Sequence, residues 1–206
     1  MTVFDHAEFD SHEQVVFCRD AAADLFAIIA VHSTTLGPAA GGCRIWPYKS
    51  YDEALTDVLR LSKAMSYKNA MAGLALGGGK AVIIGDPRTA KNAQLLYAFG
   101  RCVQQLGGRY WTAEDVGTTL HDIHLIGETC DYVFGTTVSP SRFTARGVVE
   151  GMRAAALHKL GATSLEGLTV AVQGVGSVGR HLCELLYEAG AQLIVADINE
   201  AATREV

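Results

Sequence analysis

The sequence predicts an α/β protein of two domains: an N-terminal α/β domain with a mixed sheet flanked by helices, then the first part of a Rossmann dinucleotide-binding domain. Two observations support this prediction. Segments of strand composition alternate with segments of helical periodicity over the first 140 residues. After them a strand, a glycine-rich turn, a helix and a second strand follow in the order of a nucleotide-binding βαβ unit. The predicted boundary lies at Ser139–Ser141, between domains at residues 1–140 and 141–206.

Local composition predicts the elements of the first domain. Three segments rich in β-branched and aromatic residues and bounded by Gly and Pro are predicted strands, at 14–18, 26–32 and 43–46. A helix follows, because Ser50 and Glu53 form an S-x-x-E capping box and apolar residues recur at helical spacing as far as Lys68. The remaining predicted elements are a strand at 80–84, a helix at 94–106, a strand at 110–112 and helices from Thr119 and from about Thr144 to Leu160.

The run GLALGGGKAVIIGDP, from Gly73 to Pro87, places Lys80 directly after three glycines. The glycines predict a turn that leads into an apolar strand and lets backbone amides approach a ligand. Burial disfavours an ammonium ion, so a lysine on such a strand can have a lowered pKa and act as a base. Lys68 is the neighbouring cation expected to lower that pKa further. The run is not a phosphate-binding P-loop, because Leu74 and Ala81 replace the required glycine and hydroxyl.

A second motif, GVGSVG, lies between a predicted strand at 168–173 and a predicted helix at 180–189. The glycines that match G-x-G-x-x-G are Gly174, Gly176 and Gly179. The next predicted strand ends on Asp197, close to the spacing at which an acidic residue binds the adenosine ribose. We expect these residues and Val178, in the same turn, to bind the cofactor. A carboxylate repels the 2′-phosphate of NADP, so Asp197 predicts NAD.

Composition favours a folded protein of the cytoplasm. Hydrophobic residues make up 49% of the 206 residues and charged residues 19%, which allows a substantial core. The net charge of −5 gives no reason to expect a nucleic-acid partner, and neither a signal peptide nor a bilayer-spanning run is evident. The five widely spaced cysteines indicate reduced thiols. No metal is expected, because a polar helix face explains His121, His124 and Glu128 better than a metal site does.

Four segments in order carry a resemblance to a known family: LGPAAGGCR (36–44), MSYKNAMAGLALGGGKAVIIGDP (65–87), GGRYWTAEDVGTT (107–119) and VAVQGVGSVG (170–179). From about His12 to its last residue, the chain resembles the glutamate/leucine/phenylalanine/valine dehydrogenases, most closely the leucine dehydrogenase branch. The resemblance implies NAD-dependent oxidative deamination of an L-amino acid to a 2-oxo acid, ammonium and NADH. It also implies a homo-oligomer formed through the N-terminal domain.

The resemblance implies roles for individual residues. Lys80 is implied as the base that takes a proton from the water attacking the substrate iminium. Asp115 is implied as the carboxylate that exchanges a proton with the substrate nitrogen, so two groups with separated pKa values divide the acid and base roles. Lys68 and the backbone of Gly41 and Gly42, which also predict a turn, are implied to bind the substrate carboxylate.

Three more residues complete the implied site. Ala40 and Met65 are nominated as pocket lining because they adjoin Gly41 and Lys68, and Thr144 as a contact of the nicotinamide carboxamide. Two departures from the family pattern accompany them. Ala40 stands where leucine dehydrogenases often carry a larger aliphatic residue, and the segment GTTVSPSR, at 135–142, is shorter than the usual loop.

Plainer interpretations of these residues remain open at this point. Lys68 could simply favour the dipole at a helix end, and Lys80 could be a charged residue of an edge strand. Asp115 could cap a turn, and Thr144 could be a helix N-cap. Each of these alternatives requires no ligand.

The expected function is oxidation of leucine or another branched-chain amino acid, with phenylalanine as the alternative substrate. A second alternative is a non-catalytic fragment that only folds and oligomerises. It arises because one βαβ unit follows Leu168, whereas a Rossmann domain contains two βαβαβ halves. The resemblance thus implies that the natural protein continues beyond Val206.

Overall fold

The computed structural model describes residues 2–206, which form two compact units, one ending at Ser139 and the other beginning at Pro140. The strands of the first unit are β1 (Gln14–Asp20), β2 (Leu25–Ser33), β3 (Ala39–Trp46), β4 (Gly77–Ile84) and β5 (Tyr110–Glu114). Its α-helices are α1 (Tyr51–Met71), α2 (Ala93–Gln104) and α3 (Leu120–Gly127), and a 3-10 helix lies at Val3–Asp5.

The five strands of the first unit form one mixed sheet in the order β1-β2-β4-β3-β5. Strands β1, β2 and β4 pair antiparallel, whereas β3 pairs parallel with both β4 and β5. Alternate side chains of β2 and β4 enter different apolar clusters, as the two-residue period of a strand requires. Ile28 and Val82 pack with Val58 of α1, whereas Ile29 and Ile83 belong to the cluster that contains α2 and α3. Helices therefore cover both faces, and the predicted mixed sheet is confirmed.

Three glycines of the first unit, Gly77, Gly78 and Gly79, lie inside strand β4 and are buried. The predicted turn is wrong, because these glycines serve close packing across the sheet. A Cβ atom on Gly78 would overlap the backbone nitrogen of Ser66 and lie 2.6 Å from the carbonyl oxygen of Ser62. Helix α1 therefore packs on β4 backbone to backbone.

The N-terminus of α1 follows the prediction in part. The Ser50 hydroxyl accepts a hydrogen bond from the backbone N–H of Glu53 at 3.1 Å, as an N-cap does. The Glu53 carboxylate accepts from the N–H of Lys49 at 2.8 Å, so the second half of the capping box reaches one residue further back than predicted. The helix then runs three residues past Lys68 to Met71.

The second unit contains α4 (Ser141–Leu160), β6 (Thr169–Gln173), α5 (Ser177–Glu188), β7 (Gln192–Ala196) and α6 (Glu200–Thr203). Strands β6 and β7 pair in parallel, with Val172 opposite Val195, and the intervening helix makes this a βαβ unit. A separate apolar cluster that includes Val149, Val172 and Leu186 fills its interior. Among the helices of residues 2–206, none is long and apolar enough to cross a bilayer.

Candidate functional site

The parallel strands of the first unit bring three charged side chains together. Lys80 lies on β4 and Arg44 on β3, and Asp115 directly follows β5. The pairing of Cys43 with Glu114 sets Arg44 level with Asp115 across the β3–β5 ladder. The Lys80 amine then lies 3.1 Å from Oδ2 of Asp115, and Nε of Arg44 donates to the same oxygen at 3.0 Å. Residues far apart in the sequence thus meet because their strands are neighbours.

The segment that carries Asp115 is tied to strand β3. The hydroxyl of Thr118 contacts the N–H of Asp115 at 2.8 Å and donates to the carbonyl oxygen of Cys43 at 3.0 Å. The N–H of Ile45 donates to the carbonyl oxygen of Val116 at 2.9 Å. The backbone of Asp115 therefore forms a turn, and its carboxylate pairs with Lys80.

Burial and neighbouring charges shift both titrating groups of this pair. Burial lowers the pKa of Lys80 and Arg44 lowers it further; although Asp115 opposes them, the net pKa lies below that of free lysine. Burial raises the pKa of Asp115, but Lys80 and Arg44 outweigh it and hold this carboxyl below its usual pKa. The arrangement provides a carboxylate that stays ionised beside an amine that loses its proton more readily than an exposed lysine.

The cation beside Lys80 is Arg44, so the expectation that Lys68 has this place is wrong. Lys68 is exposed in the last turn of α1. The next residue, Asn69, is buried, and its side-chain amide donates to the carbonyl oxygens of Gly77 at 2.6 Å and Ala40 at 3.4 Å. This anchors the end of α1, and with it Lys68, to the strands that carry the rest of the site.

The glycines of the proposed carboxylate-binding segment, Gly41 and Gly42, lie within strand β3, so the predicted turn is wrong here too. They pair with β5, but in the described chain the β3–β4 register skips both, passing from Ala40–Gly78 to Cys43–Ala81. A Cβ on Gly42 would lie 2.7 Å from the Cβ of Asp115. The two glycines therefore allow the Asp115 turn and strand β4 to approach the backbone of β3 closely.

The apolar nominees lie beside these glycines. Met65 contacts Gly41, since a Cβ on Gly41 would stand 3.2 Å from its Cγ. Ala40 is buried in β3, in register with Gly78 on one side and Trp111 on the other. The structure thus brings Ala40, Met65, Gly41 and Gly42 together on one part of the sheet.

Sequence reasoning missed three side chains of this site and one beneath it. Arg44, Asp57 and Tyr48 form a hydrogen-bonded group beside Asp115. Tyr110 is fully buried under β3, and its hydroxyl donates to the carbonyl oxygen of Gly41 at 2.8 Å. The available signal for Arg44 was a charged residue at the end of a run of small apolar ones, LGPAAGGCR.

The glycine motif of the second unit forms the connection between β6 and α5. Gly174 has a φ of +93°, which favours glycine, and Gly176 is the N-cap of a helix that begins at Ser177 and not at Arg180 as predicted. A Cβ on Gly179 would overlap the carbonyl oxygen of Gly174, whereas one on Gly176 would meet nothing within 4 Å. Gly179 thus serves close packing and Gly176 leaves space at a helix N-terminus, as phosphate binding requires.

Asp197 follows β7 and contacts the glycine motif directly. Its Oδ2 accepts from the N–H of Val175 at 2.8 Å, and its Oδ1 accepts from the N–H of Asn199 at 2.8 Å. These backbone hydrogen bonds lower the pKa of the carboxyl, which keeps a negative charge beside the turn. Val178 lies in the first turn of α5, half-buried. The residues of this unit fit a dinucleotide at the turn, with a ribose near Asp197.

Thr144 lies within the first turn of α4, which begins at Ser141. Its hydroxyl donates to the carbonyl oxygen of Pro140 at 3.1 Å, and Pro140 occupies the N-cap position. The N-cap interpretation of Thr144 is therefore wrong.

Two family models match the chain. One, described as Glu/Leu/Phe/Val dehydrogenase, dimerisation domain, matches residues 12–132. The other, described as Glutamate/Leucine/Phenylalanine/Valine dehydrogenase, matches residues 135–201.

Individual proteins match along nearly the whole chain. A leucine dehydrogenase of Geobacillus stearothermophilus is 57% identical, over 97% of this chain and 56% of that protein. A valine dehydrogenase of Streptomyces virginiae is 53% identical, over 95% of this chain and 56% of that protein. The crystal structure of L-tryptophan dehydrogenase from Nostoc punctiforme matches with a TM-score of 0.66 and 45% identity, over 95% of this chain and 56% of that one. The chain thus spans little more than half the length of these relatives.

Proposed function

The chain belongs to the Glu/Leu/Phe/Val dehydrogenase family, and we propose that the protein carrying it is an NAD-dependent L-amino-acid dehydrogenase acting on leucine or another branched-chain amino acid. The observation that carries this proposal is the buried Lys80, with a lowered pKa, paired with Asp115 beside the glycines of β3. Identities of 57% to a leucine dehydrogenase and 53% to a valine dehydrogenase support a branched aliphatic side chain.

The proposed reaction assigns separate tasks to the residues of the first unit. Lys68, with Gly41 and Gly42, binds the substrate carboxylate, and Ala40 and Met65 line the pocket beside it. Bound NAD supplies the hydride acceptor for the substrate Cα. Asp115 then faces the cationic substrate nitrogen, which its charge stabilises and with which it exchanges a proton.

Hydrolysis of the resulting iminium requires a base for the attacking water. Lys80 in its neutral form takes that proton, and its burial makes this form accessible at lower pH than for an exposed lysine. As the water adds, the proton moves to the Lys80 amine, where Asp115 stabilises the ammonium that forms. Lys80 and Asp115 thus take complementary roles.

We assign substrate binding and oligomerisation to residues 1–140 and the start of NAD binding to 141–206, with Thr144 contacting the nicotinamide carboxamide. The matching model for residues 12–132 is described as a dimerisation domain, which supports a homo-oligomer built through the first unit. All five cysteines are free, which fits the reducing cytoplasm as its compartment.

A substrate panel tests the proposed activity in the full-length protein. We expect NAD reduction with leucine, valine or isoleucine, at a kcat/KM at least about tenfold above that for phenylalanine or glutamate, because a pocket distinguishes side chains by their fit. NADH formation is followed by absorbance. Equal or faster oxidation of phenylalanine or glutamate would contradict the proposed substrate class.

Cofactor choice gives a second test, centred on Asp197. A carboxylate facing a 2′-phosphate costs several kcal/mol, so we expect kcat/KM for NAD to exceed that for NADP by about a hundredfold or more. Asp197→Asn keeps an oxygen for the N–H of Val175 and removes the charge, so it should reduce the preference for NAD over NADP. Glu200→Gln, on the exposed helix α6, is the matched control and should leave the preference for NAD unchanged. Equal use of NADP by the unmodified protein would show that Asp197 does not select the cofactor.

A further inference from the structure

A connected row of polar side chains extends from Lys80. Oδ2 of Asp115 accepts from Nε of Arg44 at 3.0 Å, and Arg44 also donates through a terminal nitrogen to Oδ2 of Asp57 at 2.8 Å. The Tyr48 hydroxyl donates to the same oxygen of Asp57 at 2.6 Å. We call these four residues and Lys80 the charge row.

The geometry of Arg44 distinguishes this arrangement from an ordinary surface ion pair. The side chains of Arg44, Asp57 and Asp115 are 23%, 27% and 22% exposed, so solvent screens their charges less than at a free surface. The guanidinium uses two different nitrogens for two carboxylates on different elements, α1 and the turn after β5. A planar guanidinium holds both carboxylates in one fixed geometry, because its donors form a rigid fork, whereas an ammonium is a point charge on a flexible stem.

The ionisation states along the charge row are fixed by their neighbours. Burial lowers the pKa of Arg44, but Asp115 and Asp57 more than offset this, so the guanidinium stays charged. Burial, the hydrogen bond to Asp57 and the Asp57 charge all raise the pKa of the Tyr48 hydroxyl, so it remains a donor. Tyr48 and Asp57 therefore hold Arg44 on the side away from Asp115.

Arg44 also shares one oxygen of the Asp115 carboxylate with Lys80. Both cations, Lys80 and Arg44, contact Oδ2. A carboxylate fixed by two donors on one oxygen has little rotational freedom.

We propose that Arg44, held by Asp57 and Tyr48, is a positioning residue that orients the Asp115 carboxylate and keeps the Lys80 amine available as a base. This inference rests on the proposed function for its meaning in catalysis. The effect of Arg44 on the titration of Lys80 can be measured without substrate and does not depend on that function. Among the largest influences on the pKa of Lys80 are Asp115 and Arg44, and Arg44 is the cation that lowers this pKa.

The proposal makes two substitutions shift the Lys80 titration in opposite directions. Arg44→Met removes a positive charge near Lys80 and leaves Lys80 as the one of these two cations that contacts Asp115. Both changes favour the ammonium form of Lys80. Asp57→Asn removes a negative charge and leaves Arg44 less compensated, which disfavours the ammonium form. A purely structural role for either residue gives no such pair of opposite shifts.

The test is an NMR titration of the full-length protein with 13C-labelled lysine, in which Lys80→Met assigns the Cε resonance of Lys80. With Arg44→Met we expect the midpoint to rise by about one pH unit, the size of a unit-charge effect at the effective dielectric of a protein. With Asp57→Asn it falls by a smaller amount. Arg44→Lys restores the charge and hence most of the original midpoint. The control Arg60→Met, whose exposed side chain pairs with Glu8 and lines the same groove, leaves the midpoint in place.

The acid limb of the pH–rate profile, measured on the full-length protein, gives the second readout. It should move with the NMR midpoint, and Arg44→Lys should still lower kcat because a flexible ammonium does not fix the two carboxylates in one geometry. Unchanged midpoints in Arg44→Met and Asp57→Asn would overturn the inference whatever the activity. If Arg44→Met does not fold, a fall of the midpoint in Asp57→Asn still supports it, and no change or a rise refutes it. Shifted midpoints in a protein without dehydrogenase activity would refute the proposed function and leave the electrostatic role of Arg44 standing.

Discussion

Replacing Lys80 with methionine in the full-length protein should lower kcat for oxidative deamination by about a thousandfold, the usual contribution of a positioned general base. Methionine keeps the length of the buried stem but cannot accept a proton. Asp115 retains Arg44 as a partner at 3.0 Å, so the substitution does not leave an unpaired buried carboxylate. Folding and NADH affinity should therefore be nearly unchanged, as measured by circular dichroism and by quenching of NADH fluorescence.

Lys80→Arg tests whether Lys80 acts as a base or only as a positive charge. Arginine supplies a cation beside Asp115 but does not lose its proton in a protein, so this variant should be as inactive as Lys80→Met. Lys49→Met, at an exposed lysine of the same unit, is the control and keeps full turnover. Substantial deamination by Lys80→Arg would show that the positive charge matters and that another group is the base.

The acidity of Lys80 also predicts how the rate depends on pH. Its pKa lies below that of free lysine, mainly because the side chain is buried. The neutral amine is the active form, so oxidative deamination should rise as pH increases through this pKa and level off above it. The reverse reaction, in which the ammonium donates the proton back, should decline over the same range.

Local sequence signals predicted the starts of α1 and α3. Ser50 and Thr119 each accept a hydrogen bond from the backbone N–H three residues later, an interaction that is complete within one turn. The βαβ unit of the second half was predictable for the same reason, since Gly174 and Gly179 act on residues next to them in the sequence. Mixed pairing of the first sheet was expected as a class, but its strand order was not predicted.

The glycines of β3 and β4 show where local reasoning fails. A glycine run was assigned to a turn because turns are where short-range rules place glycine. At Gly78 a Cβ is excluded by Ser62 and Ser66 of helix α1. At Gly42 a Cβ is excluded by Asp115. No pattern near Gly78 or Gly42 in the sequence indicates which element will pack there.

The charge row was beyond sequence reasoning for a related reason. Arg44 and Asp57 are 13 residues apart, and Arg44 and Asp115 are 71 apart. Their contact depends on β3 lying between β4 and β5, a feature of the completed sheet. The choice of Lys68 as the neighbour of Lys80 used proximity in sequence, whereas strand order placed Arg44 there.

Gly78→Ala should produce a large loss of stability in the first unit. The added Cβ would overlap the backbone nitrogen of Ser66 and press on the carbonyl oxygen of Ser62, and neither backbone atom can move without shifting α1. Overpacking of this kind costs about 3 kcal/mol. We expect the unfolding midpoint of the first unit to fall by roughly 10 °C, as measured by calorimetry.

Two further variants test whether the backbone of α1 is the obstacle. Ser66→Ala removes the hydroxyl that also stands beside Gly78, but Gly78→Ala combined with Ser66→Ala should recover little stability, because the Ser66 nitrogen and the Ser62 oxygen remain. Gly151→Ala is the matched glycine control: it lies in α4, where an added Cβ meets nothing within 4 Å. Alanine there should stabilise the helix by about 0.5–1 kcal/mol. Full recovery in the double variant would mean that α1 and β4 are separated by a side chain, and that the glycines of β4 are not required for a backbone contact.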